Sequence, residues 1–192
     1  MKITNITIDV IERNPPAVLV QDERANLGGA TRQGVLRVNT EDGLEGHAFI
    51  GDQGADSSQR MHSIISKLKP IMMNRDWSDR EWLWNQLPVL AGHGSPIEPS
   101  WAPLDVALWD IAGKSAGKPI HKLLGTARQE IPVYATYPPR HAQPEKFVEE
   151  ALQLKSNGFN AYKIHPGPLS ARDAAITVQK VREAVGGAME LM

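Results

Sequence analysis

The sequence predicts an α+β unit followed by the first part of a region that alternates strand and helix. Three observations indicate this: β-type alternation within the first 51 residues, helical periodicity from about residue 56 to 117, and strand–helix alternation after Gly125. The last pattern is typical of a parallel sheet or a β/α barrel with right-handed crossovers. The chain has 192 residues, 41% of them hydrophobic, which suits one large domain or two small ones.

Three segments at the start of the chain predict an antiparallel meander. They cover residues 2–12, 33–41 and 44–51, and Asp42-Gly43 between the last two is a hairpin signal. The connection between the first two strands is about 20 residues long, which in a compact domain is usually a functional or disordered loop. This connection is therefore a candidate substrate lid.

Two helices are predicted with identifiable ends. Ser78 followed by Glu81 resembles a capping box and predicts a helix start. In the second helix Asp110 and Lys114 have the spacing of an ion pair, and Gly117 marks the end. The predicted buried stripe of that helix consists of Leu104, Leu108 and Ile111.

The final third predicts the order strand, helix, strand, helix, strand. The strands are residues 131–137, the stretch from Phe159, and "AMELM" at the end of the chain. Pro144 begins the first helix, and Ser170 with Asp173 caps the second. The predicted buried stripes are Phe147, Ala151 and Leu154 in the first helix, and Ala174, Val178, Val181 and Val185 in the second.

The stretch "FNAYKIHPGP" places a lysine and a histidine two residues apart on one strand. Strand alternation projects Phe159, Ala161, Lys163 and His165 to one face, and Asn160, Tyr162 and Ile164 to the other. Two polar side chains on one face, just before a Pro-Gly-Pro exit, are an unusual use of a buried strand.

Composition makes some classes of function less favoured and excludes others. The chain has 21 basic and 22 acidic residues, so no overall field favours nucleic acid or an anionic membrane, and a small-molecule partner is expected. No stretch has the length of a membrane span or of a signal-peptide core, which favours the cytoplasm. The absence of cysteine excludes disulfides, thiolate catalysis and thiolate metal ligands.

Three motifs in order resemble the enolase superfamily, in its mandelate racemase and muconate lactonizing enzyme branch. They are "TEDGLEGHAF", "LDVALWDIAGKSAGKPIHKLLG", and "YATY" followed by "AYKIHP". The resemblance implies an α+β capping domain, here residues 1–127, and a modified TIM-type (β/α) barrel that starts at 128. It also implies chemistry at the carboxyl ends of the barrel strands, and a symmetric homo-oligomer.

Lys163 and His165 match the second-strand motif of that family, which is commonly Lys-x-Lys. The resemblance implies that both are catalytic, with His165 at the position of the base that removes a proton next to a carboxylate. Histidine can do this because its ordinary pKa of about 6.5 lies near operating pH. A second departure is "GHAF", where many relatives carry Gly-Trp-Gly-Glu, so His47 and Phe49 are expected to change how the cap meets the substrate.

The resemblance implies Mg²⁺ as cofactor, bound by three carboxylates from the third to fifth barrel strands. The chain stops at Met192 within the third strand, so we expect no metal ligand in this chain and expect the ligands beyond Met192. Residues 128–192 supply 65 residues, against about 250 for a complete barrel. The barrel is therefore expected to be incomplete and the chain alone inactive.

The leading functional expectation is dehydration of a hydroxylated acid, most simply a sugar acid, by the complete protein. A racemase, epimerase or cycloisomerase on the same scaffold is the alternative, and a non-catalytic fragment or interaction module is the alternative from another class. Arg24 is a candidate ligand of the substrate carboxylate, and His93 is a weaker candidate. Gly28 and Gly29 lack the context of a phosphate loop. The polar residues of the lid that suggest a polyol are Gln21, Asp22, Glu23, Arg24 and Asn26.

Overall fold

The computed structural model describes residues 1–13, 18–20, 23–25, 31–51, 57–91, 101–139, 141–167 and 169–192, without the side chains of 18–25 and 87–91. Contacts between Cα atoms divide the described chain into two compact units. The first contains the described residues up to 13 and from 31 to 127. The second contains a short hairpin at 18–25 together with residues from 128 onwards.

The chain begins with five strands: β1 (Ile3–Arg13), β2 (Val18–Val20), β3 (Glu23–Ala25), β4 (Thr31–Thr40) and β5 (Glu45–Ile50). The first unit is built on an antiparallel sheet in the order β1-β4-β5, whereas β2 pairs with β3. The predicted meander is thus confirmed. The connection between β1 and β4, predicted to be a loop, contains regular secondary structure. In its described part β2 and β3 pair with each other.

The turn between β4 and β5 forms as the Asp-Gly pair predicts. Gly43 has a φ of 83°, a left-handed conformation that costs glycine little. Its N–H donates to the carbonyl oxygen of Thr40 at 3.1 Å. This turn fixes the register in which β5 becomes an edge strand of the sheet.

The helices of the first unit are α1 (Ser58–Ser63), a π-helical segment (Ile64–Leu68), α2 (Lys69–Met72), α3 (Arg80–Ala91) and α4 (Ala102–Ser115). A four-residue helix, α5 (Ile120–Leu123), follows. No helix in the described ranges is both long and apolar enough to cross a bilayer. The core between sheet and helices includes Ile3, Ile6, Leu36, Val38, Ile50, Ile64, Leu104, Leu108 and Ile111.

The predicted features of α4 are confirmed, but the predicted capping box before α3 is not. Lys114 Nζ donates to Asp110 Oδ2 at 2.7 Å, and the predicted stripe of α4 is fully buried. At α3 the Ser78 hydroxyl instead donates to Asp76 Oδ1 at 2.7 Å, and the helix begins at Arg80. Asp76 also accepts from the N–H of Ser78, so a local turn takes the place of the cap.

Three of the tryptophans pack against the core of the first unit, and a fourth does not. Trp77, Trp82 and Trp101 pack against the core of the first unit. The side chain of Trp84 is 52% exposed and its ring meets that of Trp101 edge to face, with centroids 4.9 Å apart. Trp84 therefore lies at the surface rather than in the core.

The second unit contains β6 (Ala135–Thr136), α6 (Pro144–Ser156), β7 (Ala161–Lys163), α7 (Ala171–Val185) and β8 (Glu190–Leu191). The three strands are parallel, in the order β6-β7-β8. The predicted alternation of strand and helix is confirmed. Both helices pack on one face of the sheet through a cluster that includes Phe147, Ala151, Leu154, Tyr162, Ile164, Val181 and Val185.

Two predictions in the second unit are wrong in detail. The strand predicted over 131–137 is only two residues long, and Ile131 and Val133 are 75% and 69% exposed. A strand needs a partner, and β7 pairs with β6 at only two positions. In α7 the buried position falls on Thr177, whose hydroxyl donates to the Asp173 carbonyl at 2.8 Å, whereas Val178 is 44% exposed.

The predicted starts of α6 and α7 are confirmed. Pro144 is the first residue of α6, where its missing N–H costs no hydrogen bond. The Ser170 hydroxyl accepts from the backbone N–H of Asp173 at 3.1 Å, which satisfies one free donor at the start of α7. Local sequence signals therefore account for where both helices begin.

Candidate functional site

The central strand β7 has one packed face and one face with polar side chains. Tyr162 and Ile164 are 2% and 8% exposed and belong to the core beneath α6 and α7. Because alternate residues of a strand point to opposite faces, Ala161 and Lys163 project away from that core. His165 continues this alternation just past the strand end, and both Lys163 and His165 are half-buried.

Phe159 does not follow the predicted alternation. It precedes the strand, which begins at Ala161, and it packs against the same core cluster as Tyr162. The alternation therefore holds only within the strand and its direct continuation. The polar face consists of fewer residues than the sequence predicts.

Lys163 lies in a row that crosses the sheet close to the carboxyl ends of the strands. It pairs with Thr136 of β6. On the other side, Met192 donates its N–H to the Tyr162 carbonyl at 3.0 Å and accepts from the Ile164 N–H at 2.9 Å. The side chain of His165 follows two residues later, so it lies at the edge of the sheet where the three parallel strands end.

Lys163 and His165 differ from most charged side chains of the molecule in lacking a partner. In the described part of the chain, neither side chain makes an ion pair or a hydrogen bond. Among the described residues, the side-chain hydrogen bond at this position is weak and goes to the Lys163 backbone carbonyl, from Thr136 Oγ1 at 3.5 Å. An ammonium group and an imidazole are thus both available to a ligand.

The loops that follow β6 and β7 touch each other at Gly167. An added Cβ atom on Gly167 would lie 2.6 Å from Pro139 Cβ, and the φ of Gly167 is 59°. Both the close approach and the left-handed backbone favour glycine here. The chain just after His165 is therefore held against the loop after β6.

The sequence did not predict the polar cluster around His47, which lies at the β5 edge of the first unit. His47 Nε2 is 2.6 Å from Glu45 Oε1 and 3.0 Å from Arg37 Nη1. His47 Nδ1 is 3.2 Å from Lys114 Nζ, and the His47 N–H donates to Asp110 Oδ2 at 2.8 Å. A single proton on Nε2 suits the contacts with Glu45 and Lys114, since the carboxylate accepts and Lys114 can only donate. Arg37 then donates to Glu45 Oε1 at 2.8 Å rather than to this ring nitrogen.

Electrostatics in this cluster favour the charged forms. Hydrogen bonds from Asn39, Arg37 and His47 lower the pKa of Glu45 to about 2. Burial alone would raise the pKa of Asp110, but the hydrogen bonds from Lys114 and the His47 N–H lower it. The cluster is thus an ion-pair network that ties α4 to β5, and the alternating polar residues of β4 and β5 were the available sequence signal.

Phe49, the second predicted departure, lies on the same strand and is 57% exposed. Its ring packs close to Gly51, where an added Cβ atom would lie 2.3 Å from Phe49 Cε1. How His47 and Phe49 affect a substrate stays a prediction.

The described residues do not form a magnesium site. They contain no group of three or more His, Asp or Glu side chains placed to hold a metal ion. Mg²⁺ prefers oxygen ligands in octahedral geometry, whereas Lys163 has only donors and His165 offers a single nitrogen. Lys163 and His165 are therefore not a metal-binding pair.

The other predicted candidates fall partly or wholly outside the described residues. Arg24 lies in β3, which groups with the second unit, but its side chain is outside the described part. His93 also lies outside it. The role of Arg24 in binding a substrate carboxylate stays a prediction.

Comparison with known proteins identifies the fold and its relatives. The family model for the mandelate racemase/muconate lactonizing enzyme N-terminal domain matches residues 8–125. The chain is 29% identical over 154 residues to the arabinonate dehydratase of Saccharolobus solfataricus, covering 78% of this chain and 41% of the relative. It is 25% identical over 157 residues to the N-succinyl-L-Arg/Lys racemase of Bacillus cereus, covering 79% and 41%.

A solved structure extends the similarity to the whole chain. The D-glucarate dehydratase of Agrobacterium tumefaciens, in complex with magnesium, matches 100% of this chain and 53% of its own with a TM-score of 0.79 and 28% identity. The chain thus spans about half the length of this structure, and less than half of the two curated relatives. The predicted fold class, a capping domain followed by part of a barrel, is confirmed.

Proposed function

Since this chain belongs to the mandelate racemase/muconate lactonizing enzyme family of the enolase superfamily, we propose that its complete protein removes the proton α to a carboxylate. The most direct outcome is dehydration of a polyhydroxy acid to a 2-keto-3-deoxy acid. One observation carries this: Lys163 and His165 project, without partners in the described residues, from the end of the central strand. The similarity to arabinonate and D-glucarate dehydratases supports a sugar acid as substrate class.

The two side chains have complementary roles in this proposal. The α-proton of a carboxylate is a very weak acid, and its removal creates additional negative charge on the carboxylate oxygens. The Lys163 ammonium, which forms no ion pair within the described residues, would stabilise that charge as it develops. His165, two residues further along the same face, would accept the proton, provided that its imidazole is neutral.

The magnesium ion, the substrate contact of Arg24 and the oligomer are parts of this proposal. Mg²⁺ would be bound by carboxylates beyond Met192, and Arg24 would contact the substrate carboxylate. A homo-oligomer and a cytoplasmic location are further expectations. The chain by itself, without such carboxylates, would be inactive.

A racemase or epimerase is the second candidate, supported by the similarity to the N-succinyl-L-Arg/Lys racemase. Both reactions begin with removal of the α-proton, and they differ in its fate. A dehydratase expels a neighbouring hydroxyl group, whereas a racemase returns a proton to the opposite face.

The test is α-proton exchange in D₂O by protein expressed from the complete reading frame, with added Mg²⁺ and a panel of sugar acids. Loss of the α-proton NMR signal reports abstraction. A 2-keto-3-deoxy product identifies a dehydratase, and a deuterated epimer identifies a racemase. We expect His165→Asn to lower the rate by about 10²- to 10⁴-fold, the usual contribution of general base catalysis.

The matched control is His121→Asn, because His121 is an exposed histidine on the short helix α5 of the first unit. This variant should keep the wild-type rate. Absence of exchange with every acid tested, from folded and metal-loaded protein, would exclude the proposed chemistry in favour of a non-catalytic fragment or interaction module.

A further inference from the structure

A buried carboxylate lies directly behind the candidate site, on the packed face of the sheet. The side chain of Glu150, on α6, is only 8% exposed. Its Oε2 accepts a hydrogen bond from the Tyr162 hydroxyl at 2.5 Å, a length typical of a charge-assisted bond between a hydroxyl group and a carboxylate. Tyr162 precedes Lys163 on β7, so this bond ties α6 to the strand that carries both candidate catalytic side chains.

The other oxygen of the same carboxylate faces the loop after β6. His141 Nε2 lies 3.5 Å from Glu150 Oε1. This nitrogen is buried and has no hydrogen-bond partner within the described residues. The ring is held edge to face against Phe147, with centroids 5.1 Å apart. A proton on Nε2 makes the contact with Glu150 attractive, since an unprotonated nitrogen would repel the carboxylate.

The loop that contains His141 also touches the segment that follows His165. Pro139 lies two residues before His141, and Gly167 lies two residues after His165. These two residues are in close contact, because an added Cβ atom on Gly167 would lie 2.6 Å from Pro139 Cβ. Movement of the loop after β6 would therefore move the backbone beside His165.

We infer that Glu150 is a positioning residue that fixes the backbone of His165 from two sides. On one side it holds β7 through Tyr162, three residues before His165. On the other it holds the loop after β6 through His141, and that loop contacts Gly167. The consequence for proton transfer rests on the proposed function, whereas the anchoring of the two segments does not.

A buried carboxylate that serves only stability would behave differently. Its loss would lower the unfolding midpoint and leave the local order of the two segments unchanged in the folded protein. Positioning predicts a local effect, at the loop after β6 and at residues 159–167, that appears even where the protein remains folded.

The experiment compares Glu150→Ala and Glu150→Gln in protein from the complete reading frame. Hydrogen–deuterium exchange with mass spectrometry measures the two segments, and diethyl pyrocarbonate labelling measures the accessibility of His165. Kinetics of α-proton exchange give kcat and KM. The matched control is Glu149→Ala, whose side chain lies on the same helix, is 64% exposed and pairs with Lys146.

For Glu150→Ala we expect exchange in both segments to rise at least about tenfold, as for loss of a buried charged hydrogen bond. Labelling of His165 should become faster. The value of kcat should fall by about 10- to 100-fold with little change in KM. Glu150→Gln should restore most of these losses, because its amide oxygen still accepts from Tyr162 and its amide N–H can donate to His141 Nε2 once the ring proton moves to Nδ1. Glu149→Ala should match the wild type.

The outcomes separate the positioning role from the proposed function. Unchanged exchange and labelling in folded Glu150→Ala would overturn the inference. If the wild type is active, a kcat of Glu150→Ala equal to that of the wild type would also overturn it. If the wild type acts on no acid, the proposed function is rejected. Faster local exchange in Glu150→Ala would in that case still support the anchoring. If Glu150→Ala does not fold, Tyr162→Phe removes only the β7 side, and it should loosen residues 159–167 more than the loop after β6.

Discussion

A lysine and a histidine come together both at the edge of β5, where α4 supplies the lysine, and at the end of β7, and the two places use them in opposite ways. At β5, Lys114 donates to the Glu45 carbonyl at 2.6 Å and to Asp110 at 2.7 Å, and His47 contacts Glu45. At β7, the side chains of Lys163 and His165 have no such partner in the described residues. The same residue types are therefore structural in one place and available for chemistry in the other.

The position of each strand explains the difference. β5 is at the edge of its sheet, so the His47 N–H and the Glu45 carbonyl have no neighbouring strand to bond. Asp110 and Lys114 of α4 bind these two groups, which protects an edge that could otherwise pair with another chain. β7 is central and its backbone is paired on both sides, so its polar side chains are not needed for that purpose.

The largest expected effect is on the reaction rate, when Lys163 is replaced by methionine. This substitution keeps the length of the side chain and removes its charge. Lys163→Met should lower the rate of α-proton exchange by about 10²- to 10³-fold, as for loss of one group that stabilises developing charge. It should change the free energy of unfolding by no more than about 0.5 kcal/mol. Kinetics in D₂O and urea titration measure the two effects.

Lys114→Met is the matched comparison. It removes three hydrogen bonds at the sheet edge, to the Glu45 carbonyl, Asp110 and His47 Nδ1, so it should lower stability by about 0.2 to 1 kcal/mol and leave the exchange rate unchanged. If both lysines changed stability and neither changed the rate, the distinction between the two regions would be wrong.

The second effect concerns how closely α4 approaches the β5 edge. A Cβ atom on Gly46 would lie 2.2 Å from the Ala107 carbonyl oxygen and 2.7 Å from Ile111 Cγ1. Gly46→Ala should therefore separate helix and sheet and destabilise the first unit by about 3 kcal/mol. All five tryptophans lie between residues 77 and 109, so tryptophan fluorescence during urea titration follows the first unit.

Gly187→Ala provides the control, because no described atom outside its own chain neighbours lies within 4 Å of the added Cβ. It should leave the urea midpoint of tryptophan fluorescence unchanged. A small effect of Gly46→Ala would mean that α4 can move away from β5 without loss, which contradicts a rigid ion-pair network.

The comparison also shows which parts of the molecule could be predicted from sequence. Periodicity and local signals correctly predicted the meander, the stripe of α4 and the starts of α6 and α7. They failed where a tertiary partner decides: Val178 is exposed because Thr177 takes the buried position, and the strand at 131–137 shortens because β7 pairs with it at two residues.

Only part of the candidate site could be predicted from the sequence. Alternation along one strand was enough to place Lys163 and His165 on the face opposite Tyr162. Glu150 could not be found by such a pattern, because its partners Tyr162 and His141 come from a different strand and a loop. The network at His47 likewise depends on bonds from α4 side chains to the β5 backbone, between residues 63 and 69 positions apart in sequence.

The smallest expected effect is the pH dependence of that network. Hydrogen bonds from Asn39, Arg37 and His47 lower the pKa of Glu45 to about 2, whereas an unfolded glutamate has a pKa of about 4.3. Since the folded value is the lower one, the stabilisation is present above about pH 4.3 and is lost as the pH falls towards 2.

Glu45→Gln should therefore be less stable than the wild type at pH 6, and the difference should shrink as the pH falls below about 4. Urea titrations followed by tryptophan fluorescence at several pH values measure this. Glu12→Gln is the control, since Glu12 lies on the same sheet with a 66% exposed side chain and a single 3.2 Å contact to Arg32. A difference that stays constant or grows in acid would show that Glu45 acts through packing rather than charge, and the β5 edge would then owe its protection to α4 alone.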